Sequence, residues 1–223
     1  VTPSGLQVFY RDESQGILLG ATLTKAGWIY EIVDGDKQTQ GRTTGDVGFS
    51  LSAIASGKTV YVLYDSVLTL SSANYATQGE TRLAKRNTIY PEDWEYETID
   101  GPDNGVAVAG YDVVLAKSGT KVAAAWLSAS GNRLPNPDQL RFLILDEDDQ
   151  PNSATVESFG TPGSPIAIDN KGLLFGCEKR LCSIGSSGAA AKLVNGALLD
   201  GVKESATITI NKARYAVTSI NKK

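Results

Sequence analysis

The sequence contains no histidine and no methionine, and only two of its 223 residues are cysteine. Without histidine the commonest general base and transition-metal ligand is missing, which excludes a Ser-His-Asp triad and a histidine-based zinc site. Without methionine the sequence does not open on a start codon, so Val1 is expected to begin a processed mature form or a fragment. No apolar run approaches the roughly 18 residues that a membrane helix needs, so membrane insertion is not expected. No block of Lys or Arg occurs and the net charge is −4, which argues against nucleic acid or an anionic membrane as partner. The two cysteines, Cys177 and Cys182, lack a second pair to complete a tetrahedral metal site. Neither a metal nor a cofactor is expected. A strand–turn–strand over Glu178–Leu181 would set the two cysteines opposite each other, within reach of a disulfide, and an oxidising compartment would follow.

What is present reads as a globular chain: hydrophobic residues make up 41% and charged residues 21%, enough apolar surface for a real core. The densest acidic stretch, Asp146-Glu147-Asp148-Asp149, reads as a solvated loop rather than a calcium site. Ser-Gly at 56–57 and 118–119 reads as a hairpin turn, and no Gly-x-Ser-x-Gly elbow occurs. Gly160–Gly163 contains Pro162 and opens no helix, which disfavours a phosphate loop.

Internal repetition is the organising signal. Trp28-Ile-Tyr-Glu-Ile-Val-Asp-Gly35 returns 66 residues later as Trp94-Glu-Tyr-Glu-Thr-Ile-Asp-Gly101. A strand–turn–strand motif recurs as well: Leu51–Ser66, Val113–Ser128, Ile166–Phe175 and Ile208–Val217, with Trp126 where Tyr64 stands. Ser4–Asp12 supplies the turn and second strand of a further copy. Third strands are read at Ile17–Thr24, Thr81–Lys85 and Gln139–Leu145, and the Trp-x-Tyr-Glu segments alternate as half-exposed outer strands do. Gly188–Leu199 is too short and glycine-flanked to be a convincing helix and is read as strand and loop. Four strands recurring near the ~40–50-residue period of propeller blades predict an all-β chain. The expected fold is a small β-propeller of about five four-stranded units, either incomplete or closed by strands from both termini. The expected units are residues 1–35, 46–101, 105–160, 164–198 and 204–223 of one domain spanning 1–223. A β-sandwich is the competing architecture, but it does not require one unit to recur.

Leu6-Gln-Val-Phe-Tyr-Arg-Asp12, followed by Gly16-Ile17 and Gly27-Trp28, resembles a blade of the fungal fucose-specific lectins. The Trp-x-x-Glu-x-Val-Asp cadence is also similar to bacterial secreted propeller repeats. The lectin resemblance implies a sugar clamp of a strand Arg, a Glu on the next strand and an aromatic platform. Here Gln7 takes the Arg position and Leu18 or Leu19 the Glu position, so fucose specificity is not implied.

The candidate ligand-binding residues are Trp28, Tyr30, Trp94, Tyr96 and Arg11. Aromatic rings on outer strands stack on the C–H faces of sugars, but aromatics repeated between blades more often pack one blade on the next. Glu31 with Asp34, and Glu97 with Asp100, invite a glycosidase reading; an offset of three within one strand puts them on opposite faces, and the Asp-Gly pairs read as turns. No catalytic residue is assigned. The expected function is a secreted, non-catalytic, lectin-like module whose partner is a glycan or cell-surface polymer. The alternative is a structural propeller that docks a protein partner or self-associates in an extracellular assembly. A glycoside hydrolase is the third reading; the Ser-x-Asp-x-Gly-x-Thr-Trp box of sialidase propellers is absent, and a converging Arg cluster would have to come from distant blades.

Overall fold

In the computed structural model, residues 5–35, 46–87, 93–118, 121–131, 134–135, 139–145, 151–155, 162–169, 172–177, 180–185, 192–198, 202–210 and 213–220 are described; from Gln139 onward this is backbone, with the side chain of Arg141. The acidic run 146–149 and residues 160–161 lie outside the described residues, while Pro162 and Gly163 open a strand. Among the described residues seventeen strands follow in chain order. They are β1 (Gln7–Asp12), β2 (Ile17–Thr24), β3 (Gly27–Asp34), β4 (Asp46–Ser56), β5 (Thr59–Leu70), β6 (Ala76–Asn87), β7 (Glu95–Asp100), β8 (Val108–Ser118), β9 (Lys121–Ala129), β10 (Gln139–Leu145), β11 (Pro151–Thr155), β12 (Pro162–Asp169), β13 (Gly172–Cys177), β14 (Arg180–Gly185), β15 (Lys192–Leu198), β16 (Val202–Ile210) and β17 (Ala213–Ile220). One short 3-10 turn, Pro102–Asn104, interrupts them.

Antiparallel pairing sorts the strands into blades: β1–β3, β4–β7, β8–β11, β12–β15 and the hairpin β16–β17. The second and third blades share a single parallel bridge, Gly79 to Val108, which joins them into one continuous ladder without merging their cores. The first strands of successive blades touch in turn, β4 with β8, β8 with β12 and β12 with β16, while β1 touches β4. This is an all-β, incomplete β-propeller, as the repetition predicts. The segment 192–198 is strand β15, as read from its glycines.

Register fixes which residues are equivalent. Tyr64 pairs with Arg82, and Ala84 with Tyr96. In the first blade Tyr10 pairs with Leu19, and Ala21 with Tyr30. Tyr10 therefore stands where Tyr64 stands, and Gly5 matches Thr59, two residues past the Ser56-Gly57 turn with which the sequence had aligned it. Trp28 and Trp94 occupy the same outer position, Trp28 opposite Leu23 and Trp94 one residue before β7, two before Tyr96.

Among the described residues two clusters fill the joints on either side of the second blade. Leu18 and Val33 of the first blade pack with Val60, Val62, Tyr64, Ala84 and Trp94 of the second. Leu63 and Leu83 of the second pack with Val113, Leu115, Val122 and Trp126. Alternation along each strand sends successive residues to opposite joints, so a middle blade is apolar on both faces.

A buried carboxylate anchors each of these two joints. Asp34, with no exposed surface, accepts from the Tyr64 hydroxyl at 2.7 Å and from the Arg82 guanidinium at 3.1 Å. Asp100 repeats this with the Trp126 indole N–H at 2.7 Å and Arg141 at 2.6 Å. The amides of Gly35 and Gly101 close each turn onto its own aspartate, at 2.8 and 2.9 Å. Gly35 has φ 102°, and a Cβ there would lie 2.8 Å from the Ile17 backbone, so no other residue fits. The Asp-Gly pairs are turns, and their carboxylates are also rivets into the next blade. In the fourth blade Arg180 pairs with Cys177 as Arg82 does with Tyr64 and Arg141 with Trp126.

That register also revises the expected placement of the cysteines. Cys182 faces Phe175 and Cys177 faces Arg180, so the two cysteines are diagonal rather than directly opposite. Their side chains lie outside the described residues.

Candidate functional site

Both β4 and β8 are irregular near their starts. Register slips between Val47 and Leu51 on β4, and around Tyr111 on β8 between Ala109 and Val114. Bulges bend a strand and re-aim its side chains, and they are frequent beside active sites. Gly48 (φ 80°) and Gly110 (φ 103°) carry the left-handed backbone these bulges need, and Asp112 adopts it at φ 48° without being glycine. Two blades thus bring their irregular inner-strand starts together.

The group they enclose is Asp65, on β5. Its Oδ1 accepts the Ser50 amide of the β4 bulge at 2.8 Å. From the other side, Gly110 leaves so little room that a Cβ on it would lie 2.7 Å from the Asp65 Cβ. Asp65 keeps partial exposure. Burial pushes its carboxyl up to about 6, against the lowering effect of the Ser50 amide and of Arg11. Tyr111 has a buried hydroxyl with no hydrogen-bond partner in the structure, and burial, together with the Asp65 charge, raises its pKa above the usual tyrosine value.

Arg11 approaches from the first blade. Its guanidinium bonds Asp46 Oδ1 at 3.1 Å and lies 3.8 Å from the centre of the Phe49 ring, while its Nε has no partner. Arg11, Asp46, Phe49, Asp65 and Tyr111 thus gather two carboxyls, a guanidinium, a ring and an unpaired phenol from three blades. Such a set can protonate a leaving group near neutral pH and hold a polar substrate. Among the described residues no cluster of His, Cys, Asp and Glu could hold a metal.

The other sequence candidates lie elsewhere. Trp94 is 5% exposed: its indole donates to Glu31 at 3.2 Å, stacks under Arg86 and meets Phe9 edge-on at 5.9 Å. Arg86 also grips both oxygens of Glu31. The Tyr96 hydroxyl donates to the Val33 carbonyl at 2.5 Å. Both rings therefore join blades. Trp28 and Tyr30, by contrast, are 43% and 66% exposed on the outer side of the first blade. Of the five candidates only Arg11 reaches the Asp65 group. Sequence reading missed Asp46, Asp65 and Tyr111, because none carries a motif; the bulges that converge them leave only a Gly-x-Ser and a Gly-Tyr-Asp in the sequence.

No family model and no curated protein matches the chain. Solved structures do. A Trypanosoma rangeli sialidase in complex with sialic acid is 12% identical at a TM-score of 0.54, over 90% of this chain and 38% of that one. A Lactobacillus brevis α-L-arabinofuranosidase is 7% identical at 0.49, over 94% of this chain and 81% of that one. A Bombyx mori GH32 β-fructofuranosidase is 16% identical at 0.47, over 98% and 53% respectively. The chain thus spans well under half the length of the sialidase. The likeness supports the propeller and gives no support to a lectin or to the bacterial repeats. It also corrects the expected non-catalytic, lectin-like or structural module: the neighbour with a TM-score above 0.5 is, by name, a sialidase.

Proposed function

We propose that the protein acts on a glycan as a carbohydrate-processing enzyme, with Asp65 as the proton donor to the leaving oxygen. The observation that carries this reading is Asp65 itself, a partly exposed carboxyl raised to about 6 where two bulged inner strands meet. A glycosidase acid must be protonated at working pH, and burial is the usual way to achieve that. Arg11 and Tyr111 are then substrate-orienting groups, and Asp46 holds Arg11 in place. The shared fold with a sialidase supports the class without naming the sugar.

The test is hydrolysis, by the purified chain, of sialoside, arabinofuranoside and fructofuranoside substrates with sugar or alkyl leaving groups, which must be protonated to depart while water adds at the anomeric carbon. Turnover should fall as pH rises through about 6, as Asp65 loses its proton. Asp65→Asn should lower kcat by a factor of about 100 or more, with folding intact. A folded chain inert on all three, or an Asp65→Asn variant as fast as the parent, overturns the reading.

A further inference from the structure

The β1–β2 connection of the first blade is short, and its counterpart in the second blade, between β5 and β6, is long. Because Tyr10 stands where Tyr64 stands, the Asp12–Ile17 pair matches the Ser66–Glu80 pair. Four residues, 13–16, close the first; thirteen residues, 67–79, close the second. The extra length is an ordered two-stranded arm. Among the described residues no other strand pairs with it between Leu68 and Gln78, since β4 pairing ends at Val67 and β7 pairing at Thr81. The Thr69 and Thr77 hydroxyls bond at 2.8 Å, and the Ser71 amide donates to the Tyr75 carbonyl at 2.9 Å. The first blade shows that a blade closes without such an arm, and long connections of this kind commonly carry function.

The arm is rooted in the Asp65 group. It leaves β5 just past Asp65, where Val67 pairs with Asp46. On the returning strand Gly79 bridges to Val108, three residues before Tyr111, and its amide donates to the Ala107 carbonyl at 3.1 Å. The root is thus held between the starts of the two bulged inner strands, β4 and β8.

Its chemistry also sets it apart. Residues 67–79 carry no charged side chain, in a chain that is 21% charged. Leu70 and Tyr75 are exposed on either side of residues 71–74, among hydroxyl and amide side chains. A ring and an alkyl group can pack on the C–H face of a sugar, and neutral hydroxyls and amides can exchange hydrogen bonds with its hydroxyls. No charge is present to hold a phosphate, a carboxylate or a basic peptide.

We propose that the β5–β6 arm binds the neutral sugar on the leaving side of the bond that Asp65 cleaves. The side follows from the acid: the leaving oxygen must reach the Asp65 carboxyl, so whatever that oxygen carries lies beside the residue from which the arm springs. The inference rests on Asp65 as the proton donor. It makes the preferred substrate a glycoside whose leaving group is itself a sugar, with binding energy on the arm used to lower the barrier at the cleaved bond.

The test compares, for each sugar the chain hydrolyses, a substrate with a sugar leaving group against the methyl glycoside: sialyllactose, arabinobiose or sucrose against methyl sialoside, arabinofuranoside or fructofuranoside. The ratio of the two kcat/KM values should fall at least about tenfold in Leu70→Ala with Tyr75→Ala, because a methyl group has nothing to place on the arm. Tyr75→Ala alone should move the ratio the same way by a smaller factor and serves if the pair fails to fold. Saturation-transfer NMR with lactose, arabinose and glucose gives a readout independent of turnover. The parent chain should transfer saturation to at least one of them, and the variants should lose most of it. A chain inert on every glycoside that still shows this loss removes Asp65 as the acid and leaves the arm as a sugar site. A ratio that does not move in an active chain overturns the inference, as does saturation transfer that is absent or survives the substitutions.

Discussion

Trp28 and Trp94 open eight-residue segments that agree at five positions and stand at the same place on their blades, yet Trp28 is 43% exposed and Trp94 5%. The difference lies in what comes before each blade. Trp94 has β3 beside it, with Glu31 for its indole N–H and Phe9 for its ring edge. Among the described residues Trp28 has no such neighbour and stays exposed. Likewise Tyr64 donates to the buried Asp34, while its counterpart Tyr10 is exposed. The same side chain at the same register becomes a rivet or an open platform according to its neighbour. A repeat in sequence specifies the blade, and adjacency specifies the role.

The comparison is broken most directly by truncating both rings. Trp94→Ala should cost about 3–5 kcal/mol in denaturant unfolding, the scale for deleting a packed aromatic, whereas Trp28→Ala should cost under about 1 kcal/mol. Equal losses would mean that the first blade's outer face is as fully packed as the second's. Next in size are the rivets. Asp34→Ala and Asp100→Ala should each cost about 3 kcal/mol, since each strands a guanidinium in a joint. Arg82 is 6% exposed at its side chain and Arg141 15%, so the loss should be larger for Asp34.

Asp65 gives a smaller effect of opposite sign. Its carboxyl is raised to about 6 in the folded chain from 3.8, so the folded state binds more protons than the unfolded between those values. Stability should therefore fall as pH rises from about 4 to about 6 and level off above that. Asp65→Asn removes the charge penalty and should stabilise by about 1–2 kcal/mol at pH 7, with the gain vanishing by about pH 4; urea melts at the two pH values check it. An unchanged pH profile in the variant would show that burial does not raise Asp65. The smallest effect belongs to Arg11 and Asp46. Asp46 is 41% exposed at its side chain, and a double-mutant cycle should give a coupling under about 1 kcal/mol.

Much of the fold was legible because period-2 patterns and turn residues are local. The third strands read at 17–24 and 139–145 coincide with β2 and β10, and the Tyr64–Trp126 equivalence lies in matching registers. The alignment of Ser4-Gly5 was not legible, since a two-residue shift keeps the same faces and only cross-strand pairing reveals it. Nor was the Asp65 group. Asp46, Asp65 and Tyr111 are separated by tens of residues of unremarkable strand, and what unites them is a pair of bulges. The acids that were legible, Asp34 and Asp100, are structural anchors, as the repetition had suggested.

The sequence by itself determined that this is a β protein made of recurring four-stranded units, because strand alternation and turn chemistry are written in neighbouring residues. Only the tertiary structure decided which repeated aromatics are buried and which carboxyl is pushed up. Burial depends on what lies across a blade joint, and a joint is formed by residues 48 or 63 positions apart in the chain, as for Arg82 with Asp34 and Trp94 with Glu31. No local pattern encodes that distance.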